Sequence, residues 1–469
     1  MDLTLELLLI QNPWWRNPPT SPWKGGGLKF DPVIEQYNRQ TLKWRPAVLD
    51  EIDLKKDKIY FLAGLKGVGK TTLMKLLIKK LLEKDKIKPN NLFYYSCHNL
   101  DSYEQLNEMI KLFLNWSGSD RLRPFGEAPL GLTSGRRRDR RYIFIDEIAM
   151  IKKWRRGIEF LAGAGLFKSI TVILSGSSLE WARDEAGVEF KPMSGLSFAE
   201  FMRLINPALM EKIKRADYTN WRAKLDYYLD VYFLTGGFIS AINDFKENGA
   251  VRQNVYSNFL HWFLVDVARS GRDTVLIRQI IENIILNLGR PIGFKTLSRK
   301  TKARTHLTAA EYLNLLENMF TIKTVFQTQS GSGKAKKIYF QDPFIFWLFY
   351  SYIHGSLNYW QFARERLHDG QVFSTLVENV ILSQLIKDQT NKITYWRDNI
   401  KKQEINFIVE QGQKTTPILI RYGREIMRAD FNIFKKAGFK RGIIISRDKL
   451  ENKNGLMIMP LTYFLLFGG

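Results

Sequence analysis

The chain has 469 residues, room for about three domains, and carries 71 Lys and Arg against 47 Asp and Glu, a formal charge of +24. Apolar residues make up 45%, which excludes global disorder, and the single cysteine, Cys97, excludes an intrachain disulfide or a Cys-based metal site. No stretch reaches the ~18 apolar residues of a membrane helix, Phe344 to Ile353 being the longest candidate.

Residues 1–11 hold two acids and no basic leader, unlike a secretory signal, so a cytoplasmic protein without a membrane partner is expected. The positive excess calls for a polyanion, nucleic acid first, with solubilising surface charge as the alternative. Residues 1–45 include Pro13-Trp14-Trp15-Arg16-Asn17-Pro18-Pro19 and Pro22-Trp23-Lys24-Gly25-Gly26-Gly27. Proline and glycine at this density disfavour a long helix. An extended arm is expected, its tryptophans docked on the body or on a neighbouring subunit.

From residue 46 apolar runs alternate with amphipathic stretches. Ile59–Ala63, Leu92–Ser96, Tyr142–Ile145 and Ile170–Leu174 read as strands covered on both faces. A helix follows the first from Thr71 to Glu83, with Leu73, Leu76, Leu77 and Leu81 on one side. The alternation predicts an α/β core with a parallel sheet over 46–197.

Between the first strand and its helix lies Gly64-Leu65-Lys66-Gly67-Val68-Gly69-Lys70-Thr71-Thr72, a complete phosphate loop. Its glycines let backbone N–H groups turn towards the phosphates of ATP, and the helix N-terminus adds partial positive charge. Lys70 supplies a full charge, and the Thr71 hydroxyl is expected to ligate Mg²⁺. The third strand ends in Asp146-Glu147. Asp146 is assigned to Mg²⁺ and Glu147 to the attacking water. The fourth ends in Ser175-Gly176-Ser177-Ser178, where Ser175 or Ser177 is expected to sense the γ-phosphate, unless this is a plain turn. Just before the third strand, Arg136-Arg137-Arg138-Asp139-Arg140-Arg141 is a cluster suited to DNA, to an adjacent subunit or to solvent.

Residues 198–270 read as helices, including Phe198–Leu204 and Trp221–Leu234, broken at Thr235-Gly236-Gly237. Over 271–345, helices at Ile277–Leu288, Phe294–Thr301 and Thr308–Met319 precede Thr321–Gln327, Gly331-Ser332-Gly333-Lys334 and Lys337–Gln341. Three helices and a hairpin are the layout of a winged helix. Arg290, Lys295, Arg299, Lys300, Lys302, Arg304, Lys334, Lys336 and Lys337 suit phosphate contacts, whereas the third helix has no Arg or Lys for base readout. A winged helix used for domain packing is the other reading. Residues 346–469 return to α/β, with a helix at Thr375–Lys387 and strands at Lys392–Arg397, Ile405–Val409, Pro417–Tyr422 and Gly442–Ser446.

The phosphate loop, Asp146-Glu147, Ser175-Gly176-Ser177-Ser178 and Leu196-Ser197-Phe198-Ala199-Glu200-Phe201 together resemble the AAA-type ATPases of archaea and bacteria that carry a C-terminal domain of undefined function. Asn12-Pro13-Trp14-Trp15, Gly236-Gly237, Lys337-Ile338-Tyr339-Phe340-Gln341-Asp342-Pro343, Glu378-Asn379 and Tyr395-Trp396-Arg397 extend the resemblance along nearly the whole chain. It implies an AAA+ core, a helical lid, a winged helix and a restriction-endonuclease-like C-terminal fold. Gly195 stands where the family usually has proline, and Val188 follows Ala186-Gly187 where it has arginine. Arg183 is the nearest arginine finger, or a plain surface residue. The implied nuclease fold needs a carboxylate cage and a lysine, for which this chain offers Glu378, Asn406, Leu419 and Arg421, so a degenerate site is expected. The resulting expectation is a Mg²⁺-dependent ATPase coupled to DNA and assembling as a homo-oligomer. The rival is a nucleotide-gated switch or scaffold for a protein partner.

Overall fold

In the computed structural model, which describes residues 5–15, 31–115, 140–177, 187–299, 301–303, 305–328, 335–388, 390–398 and 400–468, the four apolar runs are β1 (Ile59–Ala63), β2 (Leu92–Ser96), β3 (Arg141–Asp146) and β4 (Ile170–Gly176). Among the expected site residues Ser178, Arg183, Lys300, Arg304 and Lys334 lie outside the described residues, as do 136–139 and the 331–333 tip. A fifth strand, β5 (Val188–Pro192), was not legible: it is half-buried throughout and has no apolar run. The five form one parallel sheet in the order β2-β3-β4-β1-β5, within the first of two compact units, residues 1–193 and 194–469. Because β4 sits between β1 and β3, the ends of all three open at one edge, next to the loop that follows β1. The helix Lys70–Glu83 buries Leu73, Met74, Leu77, Ile78 and Leu81, a stripe at helical spacing.

The N-terminal segment corrects one expectation. Its described residues are not extended: Leu5–Gln11 is a helix, Pro13–Trp15 a single 3₁₀ turn, and Pro32–Arg39 a second helix capped by Asp31, while Trp23 lies outside the described residues. The prolines all lie after residue 11, so nothing interrupts the leucine-rich start. Trp14 and Trp15 do dock on the body. Both are buried, and Trp15 stacks 6.1 Å from Phe93 and 6.3 Å from Phe113.

The second unit opens with the helix Phe198–Ile205, closed at its start by a capping box between Ser197 and Glu200. Helices Tyr218–Thr235, Ile239–Asn248 and Gln253–Arg269 follow. Next come Thr274–Leu286, Phe294–Leu297 and His306–Asn318, then the antiparallel pair β6 (Ile322–Gln327) and β7 (Lys336–Phe340). Ile292 bridges to Lys336, adding a third rung to the hairpin. The remaining strands are β8 (Lys392–Arg397), β9 (Glu404–Gln411), β10 (Lys414–Ile420), β11 (Gly442–Ser446), β12 (Glu451–Lys453) and β13 (Leu456–Pro460). One eight-stranded sheet runs β12-β13-β11-β10-β9-β8-β6-β7. The hairpin joins it because Phe326 and Gln327 pair with Thr394 and Tyr395. The boundary drawn at residue 345 therefore falls inside a continuous sheet.

The apolar run noted in the sequence is the helix Pro343–Ile353, with Phe344 to Phe349 buried and Trp347 donating to the Phe233 carbonyl at 2.9 Å. Burial of each large side chain contributes about 1.5–3 kcal/mol, so this helix anchors the unit. No described helix is long and apolar enough to cross a membrane. Its cap, Asp342, accepts from the N–H groups of Gly237 (2.9 Å) and Phe344 (2.8 Å). Gly236 has a positive φ of 57°, and a Cβ there would overlap the Asp342 carboxyl. Lys387 reaches the Gly195 carbonyl at 2.5 Å and Glu200 at 3.1 Å. Three of the signature segments thus meet around one buried carboxyl.

Burial pushes the Asp342 carboxyl up from 3.8 to about 7, against the pull of its two backbone donors. The raised value means that its favourable contribution is complete below pH ~4 and is lost as pH rises towards 7. Asp342→Asn should flatten this loss. Thermal melts from pH 4 to 8 should show the wild type falling relative to the variant, with the difference level above pH 7.

Candidate functional site

Gly64 ends β1 with its backbone against that of Met193, and a Cβ there would overlap the Met193 carbonyl oxygen. Gly67 (φ 87°) and Gly69 (φ 96°) take left-handed conformations that turn the loop into the helix at Lys70. Leu65 and Val68 point into the core, so the loop is pinned by its variable positions. Gly69 offers no side-chain cap, which leaves the first-turn N–H groups directed at the loop. The buried Lys70 ammonium donates to the carbonyls of Gly64 (2.8 Å) and Leu65 (3.2 Å) and lies 3.7 Å from Glu147 Oε1.

Asp146 is almost completely buried, at 2% exposed, so its charge depends on hydrogen bonds. Three hydroxyls donate to it. Thr71 Oγ1 reaches Oδ2 at 2.6 Å, Tyr94 reaches the same oxygen at 3.0 Å, and Ser175 donates to Oδ1. Ser175 Oγ also accepts from the Glu147 N–H at 3.0 Å. Of the two candidate serines, buried Ser175 bonds the Asp146 carboxylate and the Glu147 N–H, whereas Ser177 lies past the end of β4 and is half-buried. Glu147 has a φ of 53°, a left-handed conformation that costs a non-glycine residue roughly 1–2 kcal/mol. Strain of this kind concentrates at working sites. The donor set of Thr71 and Asp146, one hydroxyl and one carboxylate, suits Mg²⁺, which takes hard oxygen ligands.

Tyr94 and Lys75 were missed. In the parallel register Tyr94 pairs with Phe144 and Ser96 with Asp146, so Tyr94 is the diagonal neighbour of Asp146, within reach of a long side chain. Lys75 is one helical turn beyond Thr71 on the same face. Its ammonium pairs with Asp31 at 2.9 Å and sits 3.3 Å above the Tyr94 ring. Burial draws the Lys75 ammonium below its ordinary value, and the Asp31 charge opposes this. Burial first, then the Asp146 charge, push the Tyr94 phenol up, so it remains a donor.

The basic residues divide. Arg290, Lys295, Arg299 and Lys302 are exposed. Asn283 donates to the Leu297 and Arg299 carbonyls and Gln279 accepts from the Lys302 N–H, which fixes this loop by its backbone. Lys336 and Lys337 are corrections. Lys336 is buried, its ammonium 2.9 Å from the Phe294 ring centroid, and burial lowers it to about 8. Lys337 is wholly buried between Glu404 (2.6 Å) and Glu378 (3.8 Å). Neither is available to a phosphate, because Lys336 is covered by the Phe294 ring on one face of β7 and Lys337 by the two glutamates on the other. Of the arginine cluster, Arg140 pairs with Asp57 at 2.7 Å and Arg141 binds the Leu114 carbonyl.

The second candidate site does not fit a metal. Glu378 accepts from Tyr339 at 2.6 Å and from Asn406 Nδ2 at 3.1 Å, while Asn406 Oδ1 is taken by the Ile420 N–H. Leu419 is buried in an apolar cluster with Ile405, Phe434 and Ile444. Arg421 turns to Asp430 at 2.5 Å. The Lys337 ammonium supplies the positive charge beside Glu378, and among the described residues no group of three His, Cys, Asp or Glu is placed to hold a metal ion.

A parallel sheet with a phosphate loop after its first strand, and two acids ending a strand one removed from it, defines a P-loop nucleotide-binding domain. Residues 56–202 match the family model described as an AAA domain, which supports an AAA-type P-loop domain in this part of the chain. Residues 227–349 and 373–464 match two domains of unknown function, DUF8612 and DUF4143. No curated protein sequence matches the chain. Among solved structures, the Orc1 protein of Aeropyrum pernix in complex with DNA is similar at 15% identity and TM-score 0.29, over 76% of this chain and 94% of that one. The Orc2 protein of the same organism is similar at 12% and 0.32, over 72% and 95%. RuvB of Thermotoga maritima is similar at 18% and 0.25, over 58% and 82%. All three TM-scores lie below 0.5, and these likenesses carry no argument about the chain.

From the filled surroundings of Glu378, the chain is expected to leave supercoiled plasmid intact with Mg²⁺ or Mn²⁺ and ATP. Nicking by wild type that Glu378→Ala removes would show a working nuclease.

Proposed function

We propose that the chain hydrolyses ATP with Mg²⁺ at the β1–β3–β4 edge and couples this to sequence-tolerant contact with the DNA backbone through its second unit. The convergence of the Thr71 and Ser175 hydroxyls on Asp146, with Ser175 also accepting from the Glu147 N–H, carries the catalytic half of this reading. Lys70, held by two loop carbonyls, is placed for the phosphates. Thr71 and Asp146 would hold Mg²⁺, which when bound neutralises charge on the phosphate oxygens. Glu147, next to Asp146 and fixed through its N–H by Ser175, takes the proton from the attacking water. Ser175 keeps the two acids in register.

The exposed Arg290, Lys295, Arg299 and Lys302, on and around the helix Phe294–Leu297 and the backbone-staked turn after it, support phosphate contact. The helix–helix–helix–hairpin order supports a winged helix, and the filled Glu378 site supports a nuclease-like fold kept for binding or assembly. The rival reading, a nucleotide-gated scaffold for a protein partner, draws on one observation: Lys336 and Lys337 are buried, which thins the basic surface of the hairpin.

Lys70→Ala should abolish ATP binding. Glu147→Gln should bind ATP and turn over roughly a hundredfold more slowly. Wild-type turnover in Glu147→Gln would move the base elsewhere. DNA binding should weaken with salt, each neutralised phosphate contributing a slope of roughly 0.9 in log K against log salt. Replacing Lys295, Arg299 and Lys302 by alanine should weaken every DNA sequence alike, and affinity indifferent to salt and to these changes would favour the protein-partner reading.

A further inference from the structure

Among the described residues β2 is an edge strand of the parallel sheet, with backbone groups that no described neighbouring strand pairs. Side chains from residues 11–15 bind them instead. The indole N–H groups of Trp14 (3.3 Å) and Trp15 (3.0 Å) donate to the Leu92 carbonyl. Gln11 accepts from the Ser96 N–H at 2.7 Å. Asn12, wholly buried, pairs with both backbone groups of one residue, accepting from the Tyr94 N–H at 2.8 Å and donating to the Tyr94 carbonyl at 3.0 Å. A side-chain amide that satisfies both groups of one residue acts as a one-residue strand partner.

That residue is the one whose side chain reaches the nucleotide site. The Tyr94 hydroxyl donates to Asp146 Oδ2, beside the Thr71 hydroxyl on the same oxygen. The Lys75 ammonium covers its ring and is itself tied to Asp31 and lies 5.2 Å from the Trp14 ring. Tyr94 is therefore fixed at its backbone by Asn12, at its ring by Lys75 and at its hydroxyl by Asp146. Donation to a charged acceptor in a buried setting is directional and strong, so the phenol and the Thr71 hydroxyl together fix where Oδ2 sits.

We propose that Tyr94 is a positioning residue for the carboxylate that holds magnesium, and that the Gln11–Trp15 segment holds Tyr94 in place, so that the docking of this segment sets the magnesium dependence of nucleotide binding. This rests on the reading of Thr71 and Asp146 as the Mg²⁺-holding pair.

The test uses the full chain and a fluorescent ADP analogue, titrated in EDTA and in Mg²⁺, with a thermal melt beside each titration. Tyr94→Phe keeps the ring and loses only the hydroxyl. It should reduce the Mg²⁺-dependent gain in affinity roughly tenfold and leave the affinity in EDTA unchanged. Asn12→Ala should move the same ratio in the same direction, and Asn12→Ser carries this arm should the alanine variant not fold. A purely structural role would weaken both titrations together. A wild-type gain with Mg²⁺ that Tyr94→Phe leaves intact overturns the proposal alone. An Asn12 variant that folds and keeps the wild-type ratio overturns the part given to the N-terminal segment. Wild-type chain that binds ADP without any response to Mg²⁺, or not at all, overturns the reading of the site itself.

Discussion

A single buried carboxylate organises the first unit. Asp146 ends β3 almost out of reach of water, and a charge so placed is tolerable only if hydrogen bonds replace its hydration. The three hydroxyls that do so come from three different elements: the helix after the phosphate loop, the edge strand β2 and the end of β4. Satisfying one carboxylate thus ties together the parts that a phosphate-handling site needs at one edge of the sheet. The strand order makes this possible, because β4 between β1 and β3 brings Ser175 alongside the acids. Glu147 follows directly, its left-handed backbone held by the same serine.

In the second unit a fixed ammonium does what a metal would do elsewhere. Lys337, from β7 of the hairpin, lies between Glu404 of β9 and Glu378 of the helix Gly370–Leu385. With Arg397 3.6 Å from Glu404, the two carboxylates are balanced by two cations from within the chain. The same contact bonds the hairpin to the strands that follow it, alongside the β6–β8 pairing. Buried ion pairs of this kind are strongly destabilising when one partner is removed, by about 3–5 kcal/mol, which makes the cluster a fastening and not an open site.

The legible parts of this protein were those set by local chemistry. The strands Ile59–Ala63, Leu92–Ser96, Lys392–Arg397 and Gly442–Ser446 occupy the residues expected from the sequence. The phosphate loop is legible because glycine, lysine and threonine at that spacing answer one requirement, a backbone that wraps an anion. β5 was not legible, since a half-buried edge strand has no run of apolar residues to mark it. The N-terminal helix was masked by the prolines that follow it.

What the sequence by itself determined is therefore the identity of the groups: Lys70 and Thr71 after the glycine loop, and Asp146 and Glu147 at a strand end. Their chemistry belongs to the residues and does not wait on the fold. Only the tertiary structure decided which groups meet. Ser175 against Asp146, Tyr94 as a third donor, Asn12 on the β2 edge, and two hairpin lysines buried on opposite faces of β7 all depend on register between segments up to 82 residues apart in sequence. A one-residue step in a strand reverses the face a side chain occupies, so partners of this kind are fixed by strand pairing and not by composition.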